Sequence, residues 1–99
     1  MARLDVFALP GGTVLALDVQ ADLLSHLATR TVVPLLPAHA APKPISALNP
    51  VFEIAGERHV MITQGIASVP VHELKHKVAS LPAEHDAIVR ALDVLLLGF

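Results

Sequence analysis

Residues 72–76 have the sequence His-Glu-Leu-Lys-His, a pattern that can carry metal chemistry. On an α-helix, two imidazoles four residues apart share one face and bind Zn²⁺, and the glutamate acts as general base for the bound water. Here Lys75 places a cation inside the pattern, and Pro70 and Pro82 leave room for only a short helix. A third ligand would have to come from scattered residues such as His85. A solvated segment of mixed charge is therefore favoured, and we predict no metal and no cofactor.

No other cluster of side chains suggests catalysis. The serines lie in no nucleophile elbow, no glycine-rich loop precedes a helix to cradle a phosphate, and the chain has no cysteine. Asp18 and Asp22 form a carboxylate pair four residues apart. They flank the end of a predicted strand, where capping or a turn is the expected role. The sequence therefore predicts a protein that is not an enzyme.

The composition favours one small domain with more apolar surface than a single core can use. Of the 99 residues, 54% are hydrophobic, against a usual share of about 45–50%. We expect a single domain over residues 1–99 and a homodimer that covers the surplus. No apolar run approaches the roughly 18 residues that span a bilayer. Nor does the chain show the basic start and apolar block of a signal peptide, so we expect a cytoplasmic protein with no membrane contact.

The charge distribution argues against direct nucleic-acid binding. The net charge is −2, the seven Lys and Arg residues are scattered, and the three aromatic residues are all Phe. A nucleic-acid surface needs clustered positive charge and stacking rings. We therefore expect the partners to be proteins.

Short strands occupy most of the chain before residue 72. Pro10-Gly11-Gly12 and Ala55-Gly56-Glu57 are turn signals between β-branched or apolar runs. Pro34 interrupts one run and suits an edge or a bulge, because proline cannot donate to a ladder. Residues 37–50 hold four prolines and form a loop. The predicted strands span residues 3–9, 13–19, 31–36, 51–54, 58–63 and 66–71.

The end of the chain has helical periodicity. Five apolar residues recur at spacings of three, four or seven and lie on one helix face, namely Leu81, Ile88, Leu92, Leu95 and Phe99. Pro82 suits the first turn, and Gly98 suits a left-handed stop. The opposite face is salt-bridged and solvated, with Leu97 as an apolar exception, and consists of Asp86, Arg90, Asp93 and Leu97.

Three segments resemble one known family. Residues 17–24, Leu-Asp-Val-Gln-Ala-Asp-Leu-Leu, look like the V-D-V-Q-S-D-I-I segment of the CcdB toxins. Residues 30–35 follow at the family's spacing, and residues 66–71, Ile-Ala-Ser-Val-Pro-Val, resemble its M-A-S-V-P-V. From there the match runs to Phe99 without a gap. The chain is thus identified as a member of the CcdB-like toxin family.

The resemblance implies a mainly β, α+β fold. The family has a five-stranded antiparallel sheet of SH3-like barrel topology, a small accessory hairpin and a C-terminal helix. It forms a symmetric homodimer with the two helices side by side, which places Leu92, Leu95 and Phe99 at the dimer interface. The bacterial dimer poisons DNA gyrase: it binds the A subunit of that enzyme and traps the cleaved-DNA complex. A cognate antitoxin neutralises it with a disordered C-terminal segment.

The resemblance also assigns gyrase-binding positions, which are Leu23, Leu24, Asp93, Leu96, Leu97, Gly98 and Phe99. Two of them depart from the family. Leu97 replaces a tryptophan that stacks on a gyrase arginine, and Asp93 replaces an asparagine. Two hypotheses follow. The protein is a working gyrase poison with altered contacts, or it is a degenerate or repurposed dimer that binds an antitoxin-like peptide without stopping gyrase.

The interpretation of residues 72–76 can be tested by metal analysis. We expect purified protein to hold no stoichiometric zinc, and we expect chelators to leave its melting temperature unchanged, because Lys75 repels a dication. A one-to-one zinc content that disappears in His72→Ala would contradict this.

Overall fold

The computed structural model describes residues 2–98, which form seven strands and one C-terminal α-helix. Met1 and Phe99 lie outside the described residues. Within that range no helix is both long and apolar enough to cross a lipid bilayer. A mainly β chain ending in one helix was predicted and is confirmed. The elements are β1 (Asp5–Ala8), β2 (Leu15–Asp18), β3 (Thr29–Pro37), β4 (Val51–Ile54), β5 (Glu57–Met61), β6 (Ala67–Pro70), β7 (His76–Ser80) and α1 (His85–Leu97).

All seven strands belong to one antiparallel sheet. The hydrogen-bonded order is β4-β5-β3-β2-β1-β7, and β6 pairs with β3 beside β5. The prediction separated a five-stranded sheet from an accessory hairpin. In the described residues the β4–β5 hairpin is bonded to β3 and therefore continues the sheet. Its turn is made by Ala55 and Gly56, both at positive φ, as a two-residue hairpin with right-handed twist requires.

The nine-residue strand β3 is the central strand of the sheet and pairs with three other strands. Its first half pairs with β6, its last three residues pair with β5, and its other edge pairs with β2. Pro34 stands where the partner changes, so its missing N–H breaks no ladder bond. The Pro34 carbonyl accepts a hydrogen bond from the Ile62 N–H at 2.9 Å. A Cβ added at Gly65 would lie 3.1 Å from the Pro34 ring, so any larger residue there would have to displace that ring slightly. Pro34 therefore lies inside β3, at the point on one edge where the pairing strand changes from β6 to β5.

The connection between β6 and β7 forces the sheet to curl. In a flat sheet these strands would lie four strand spacings apart, about 19 Å. Only residues 71–75 join them, and Val71–Glu73 form a 3₁₀ turn, which advances only about 2 Å per residue. The sheet therefore curves into a half-barrel. Its concave face packs on α1 through Ile88 and Ala91, both fully buried.

Two apolar clusters lie on opposite faces of the sheet. Alternate residues of a strand point to opposite sides, so Val6 joins the helix-covered cluster and Phe7 joins the smaller one. The larger cluster contains Leu4, Val6, Leu17, Val19, Val33, Leu35, Phe52, Ile54, Met61, Leu81, Ile88 and Ala91. The smaller contains Phe7, Ala16, Val32 and Leu74.

The predicted C-terminal helix is present, but it begins after Leu81, the first residue of the predicted apolar face. Pro82–Glu84 form a 3₁₀ turn, and α1 begins at His85. Gly98 has φ +83° and its N–H bonds to the carbonyls of Asp93 and Val94. The left-handed stop is confirmed.

Strand β7 was not predicted. Residues 75–78 are exposed, as expected of a solvated segment, and their pattern lacks the apolar alternation that marks a strand. Pairing with β1, from Ala8↔His76 to Asp5↔Ser80, gives this segment its conformation. Long-range backbone bonds of this kind leave little trace in local sequence.

Asp5 on β1 forms an ion pair with Lys77 on β7. Its carboxylate makes the stability of the protein decrease in acid. Burial raises the pKa of Asp5, but hydrogen bonds from the Ala2 N–H and the Ser80 hydroxyl, together with the Lys77 ammonium, outweigh it. The pKa of Asp5 therefore lies below its ordinary 3.8. Lys77 Nζ lies 3.3 Å from Asp5 Oδ1. Because the folded pKa is the lower one, this stabilisation is present above pH 3.8 and is lost as pH falls through the folded value.

We predict that Asp5→Asn destabilises the protein at neutral pH and not in strong acid. The loss at pH 7 should be about 1 kcal/mol, or about 4–8 °C in Tm for a domain of this size. Thermal melting from neutral pH to about pH 2 measures it, because the native carboxylate takes up its proton as the pH falls through the lowered pKa of Asp5. Glu53→Gln, at an exposed carboxylate on β4, is the control. An Asp5→Asn deficit that stays constant across this range would contradict the proposed linkage.

Candidate protein-binding surfaces

A leucine loop, defined as residues 20–28, projects between β2 and β3. It contains the 3₁₀ turn Asp22–Leu24 and has no buried residue after Gln20. Leu23 is 86% exposed, and Leu24 and Leu27 are each 42% exposed. Apolar side chains grouped at a loop tip are typical of a partner-binding surface. The loop therefore displays Leu23 and Leu24, two of the predicted gyrase-binding residues, to solvent.

Gln20 holds the base of the leucine loop. Its side-chain carbonyl accepts a hydrogen bond from the Thr31 N–H at 2.9 Å, and its amide donates to the Leu24 carbonyl at 2.9 Å. One side chain therefore bridges the loop to strand β3. Leu23 and Leu24 are exposed on a fixed backbone rather than on a free loop.

A buried ion pair between Asp18 and Arg30 lies next to Gln20. Arg30 on β3 donates from Nε to Asp18 Oδ2 at 3.1 Å and makes a second bond from Nη2 to the same oxygen. Both side chains are at most 1% exposed. The other Asp18 oxygen accepts the Gln20 N–H at 3.0 Å. The pair is thus linked by one hydrogen bond to the residue that holds the loop.

The sequence predicted part of this arrangement. Asp18 makes the expected turn contact through the Gln20 N–H. Asp22 accepts the Arg3 N–H at 2.8 Å and so ties the loop to the N-terminal segment rather than capping it. Arg30 was missed as a functional residue. A single arginine inside the β-branched run Thr29–Val33, on a strand adjacent to a carboxylate, was the available signal.

The end of α1 forms a second apolar surface. Leu96 is 67% exposed and Leu97 is 62% exposed, so the predicted exposure of Leu97 is confirmed. Gly98 is exposed. Asp93 is half-buried, whereas helical periodicity placed it on the solvated face. Phe99 lies outside the described residues. Both surfaces are therefore available for binding, and their partners remain a prediction.

The predicted dimer residues lie lower on the same helix. Leu92 packs against the large core cluster and is half-buried, and Leu95 is half-buried. Phe99 belongs to this set but is not described. The leucine loop and α1 make at most marginal contact within residues 2–98. The predicted gyrase-binding residues therefore form two separate patches on one protomer.

The His-Glu-Leu-Lys-His segment does not have the geometry of a zinc site. His72 lies in the 3₁₀ turn Val71–Glu73, and His76 begins β7. The shared helical face that a zinc site needs is therefore missing. Nowhere in residues 2–98 do three histidine or carboxylate side chains meet in a group that could hold a metal ion.

We predict that Arg30→Met costs about 3–5 kcal/mol of stability, because Asp18 is left as an unpaired buried charge. The double variant Asp18→Asn/Arg30→Met should recover most of that loss, since the uncompensated charge is removed. Urea unfolding of the two single variants and the double variant measures the coupling. Arg58→Met, at an exposed cation on β5, is the control and should stay within about 0.5 kcal/mol. Equal costs for Arg30→Met and Arg58→Met would contradict the role of the ion pair.

Solved structures of other proteins share this fold. One is titled "Endoribonuclease from Mycobacterial species" and is 19% identical, with a TM-score of 0.76 over 97% of this chain and 90% of that chain. Another, "Mycobacterium tuberculosis toxin MazF-mt6", is 17% identical, with a TM-score of 0.73 over 92% of this chain and 93% of that chain. At these identities the likeness concerns the fold alone.

The family comparison is more specific. A sequence model described as the CcdB protein matches residues 3–98. The match covers both exposed surfaces, the Asp18–Arg30 pair and strand β7. The resemblance found in three segments of the sequence therefore extends over almost the whole chain, which belongs to the CcdB family of toxins.

Proposed function

We propose that this protein is the toxin of a type II toxin–antitoxin module, and that it binds the A subunit of DNA gyrase and traps the cleaved-DNA complex. A cognate antitoxin with a disordered C-terminal segment neutralises it. The action is binding rather than catalysis, and the protein works in the cytoplasm, where gyrase acts on DNA. Membership in the CcdB family supports this proposal.

The observation that carries the proposal is the exposure of leucines at the matched positions. Leu23, Leu96 and Leu97 are each at least 62% exposed, although full burial of a leucine stabilises by about 1.5–3 kcal/mol. A partner that buried these leucines would recover part of that stabilisation. Gln20 and the Asp18–Arg30 pair fix the first of these residues, and the α-helix fixes the other two.

A homodimer is part of the proposal. Leu92 and Leu95 are only half-buried, and a symmetric helix pair would cover the part of them that is exposed on both copies. Each dimer would then carry two leucine loops and two helix ends. A symmetric target could be contacted at both halves at once, and linking two contacts in this way raises overall affinity.

Leu97 weakens the contact that the family tryptophan makes. A ring over a guanidinium contributes about 0.5–2 kcal/mol, whereas leucine offers only buried area at about 25 cal/mol per Å². Asp93, half-buried one turn earlier, supplies an anion that can pair with the same arginine. The alternative, a degenerate or repurposed dimer that binds an antitoxin-like peptide without poisoning gyrase, rests on these two departures.

The test is titration calorimetry of the protein against the gyrase A fragment of its host. Leu97→Asp should weaken binding at least about tenfold, because a carboxylate in an apolar contact loses its water. Leu97→Trp should strengthen binding about two- to thirtyfold, since it restores the ring, and should leave thermal stability unchanged. Light scattering of the free protein should give the mass of a dimer.

The matched control is Ile45→Asp. Ile45 is a 57% exposed apolar residue in the proline-rich segment 37–50, outside the predicted gyrase-binding residues. This variant should bind as the wild type does. Wild-type binding by Leu97→Asp would show that the helix end is not the contact surface. Absence of any binding by the wild type would favour the repurposed dimer, and protein-dependent cleavage of RNA in a parallel assay would refute a purely binding role.

A further inference from the structure

Residues 2–5 form a turn at the start of the chain, and this turn contacts the leucine loop. The Asp5 N–H donates to the Ala2 carbonyl at 3.1 Å, and the Ala2 N–H donates to Asp5 Oδ2 at 2.9 Å. Between them, the Arg3 N–H donates to Asp22 Oδ1 at 2.8 Å. The turn therefore supports the leucine loop at a point separate from the side-chain bridge that joins the loop to β3.

The backbone of Leu4 in this turn is strained. Its φ is +72°, in the left-handed region that a side chain makes unfavourable, and the third residue of a turn with positive φ is ordinarily glycine or asparagine. The Leu4 N–H donates to the Asp18 carbonyl at 2.7 Å, its carbonyl accepts the Leu81 N–H at 2.9 Å, and its side chain is buried in the larger core cluster. Backbone strain persists only where the surrounding structure determines the conformation, and it is concentrated at functional sites. The conformation of this turn is therefore set by the core.

The core-bound turn gives Asp22 a fixed hydrogen-bond donor. Asp22 is exposed and begins the 3₁₀ turn Asp22–Leu24, directly before Leu23. An exposed carboxylate can bond to water instead of to the protein, so an internal bond is favoured when its donor is already held in place. That donor is the Arg3 N–H, next to the strained residue. The Arg3 side chain also donates from Nε to the Val19 carbonyl at 3.4 Å, so the N-terminal turn is joined to the loop and its base at two points.

We propose that Asp22 is a positioning residue for the gyrase contact, an inference that rests on the proposed function. Through its bond to the Arg3 N–H, Asp22 holds Leu23 and Leu24 in the conformation that meets the gyrase A subunit. A loop that is already ordered loses less conformational entropy when it binds. The Asp22 carboxylate makes no contact of its own with gyrase, so affinity depends on its oxygen as an acceptor and not on its charge.

Two substitutions of Asp22 separate the acceptor from the charge. Asp22→Ala removes both, whereas Asp22→Asn keeps a side-chain oxygen that accepts the Arg3 N–H. Hydrogen–deuterium exchange of the free toxin and titration calorimetry against the gyrase A fragment measure the effects. Asp22→Ala should speed exchange over residues 21–28 and weaken binding about fivefold, the effect of one hydrogen bond. Asp22→Asn should stay within about twofold of the wild type in both measurements, as surface substitutions that keep their contacts do.

Glu53→Ala, which removes an exposed carboxylate from β4, is the control and should match the wild type in both measurements. The urea midpoints of Asp22→Ala and Glu53→Ala should agree, because local loosening of a loop leaves the core intact. The proposal is overturned if Asp22→Asn binds as weakly as Asp22→Ala, since the carboxylate would then contact gyrase directly, or if Asp22→Ala leaves loop exchange unchanged. Absence of binding by the wild type would instead contradict the proposed function, and the exchange result would still decide whether Asp22 fixes the loop.

Discussion

The ion pair between Asp18 and Arg30 is the interaction on which the candidate binding surface depends. Burying two charges between strands costs several kcal/mol per ion before their attraction offsets it, so the pair is stable only while each oxygen and each N–H bond is satisfied. One Asp18 oxygen takes the guanidinium and the other takes the Gln20 N–H. Gln20 in turn spans from Thr31 to Leu24. The exposed leucines of the loop are therefore positioned by a charge pair inside the sheet.

The fold by itself does not decide what a protein that has it binds. The half-barrel and its helix are shared with one structure titled as an endoribonuclease, at 19% identity, and with one titled as the toxin MazF-mt6, at 17% identity. The curl of the sheet needs only strand order and a short β6–β7 connection. What a member binds is decided by side chains on loops and helix ends that the fold leaves exposed. In residues 2–98 of this chain, the exposed side chains of the leucine loop and the helix end include Leu23, Leu96 and Leu97.

Local chemistry predicted some of these features, and distant contacts determined the others. Gly56 and Gly98 have the positive φ that their turn and helix-stop positions require, and such requirements are visible in the sequence. The exposure of Leu97 followed from helical periodicity. Strand β7 was missed because its conformation comes from pairing with β1, and Arg30 was missed because its partner lies twelve residues away. The role of Pro34 depends on where β3 exchanges partners, which no short segment reveals.

The central proposal is that the leucine loop and the end of α1 are two patches that both contact the gyrase A protein. Hydrogen–deuterium exchange of the toxin, free and saturated with the gyrase A fragment, tests it most directly. We predict slower exchange over residues 21–28 and 93–98 and unchanged exchange over β4 and β5, which carry none of the predicted contacts. Protection confined to β4, β5 or β7, with the leucine loop and the helix end unaffected, would contradict it.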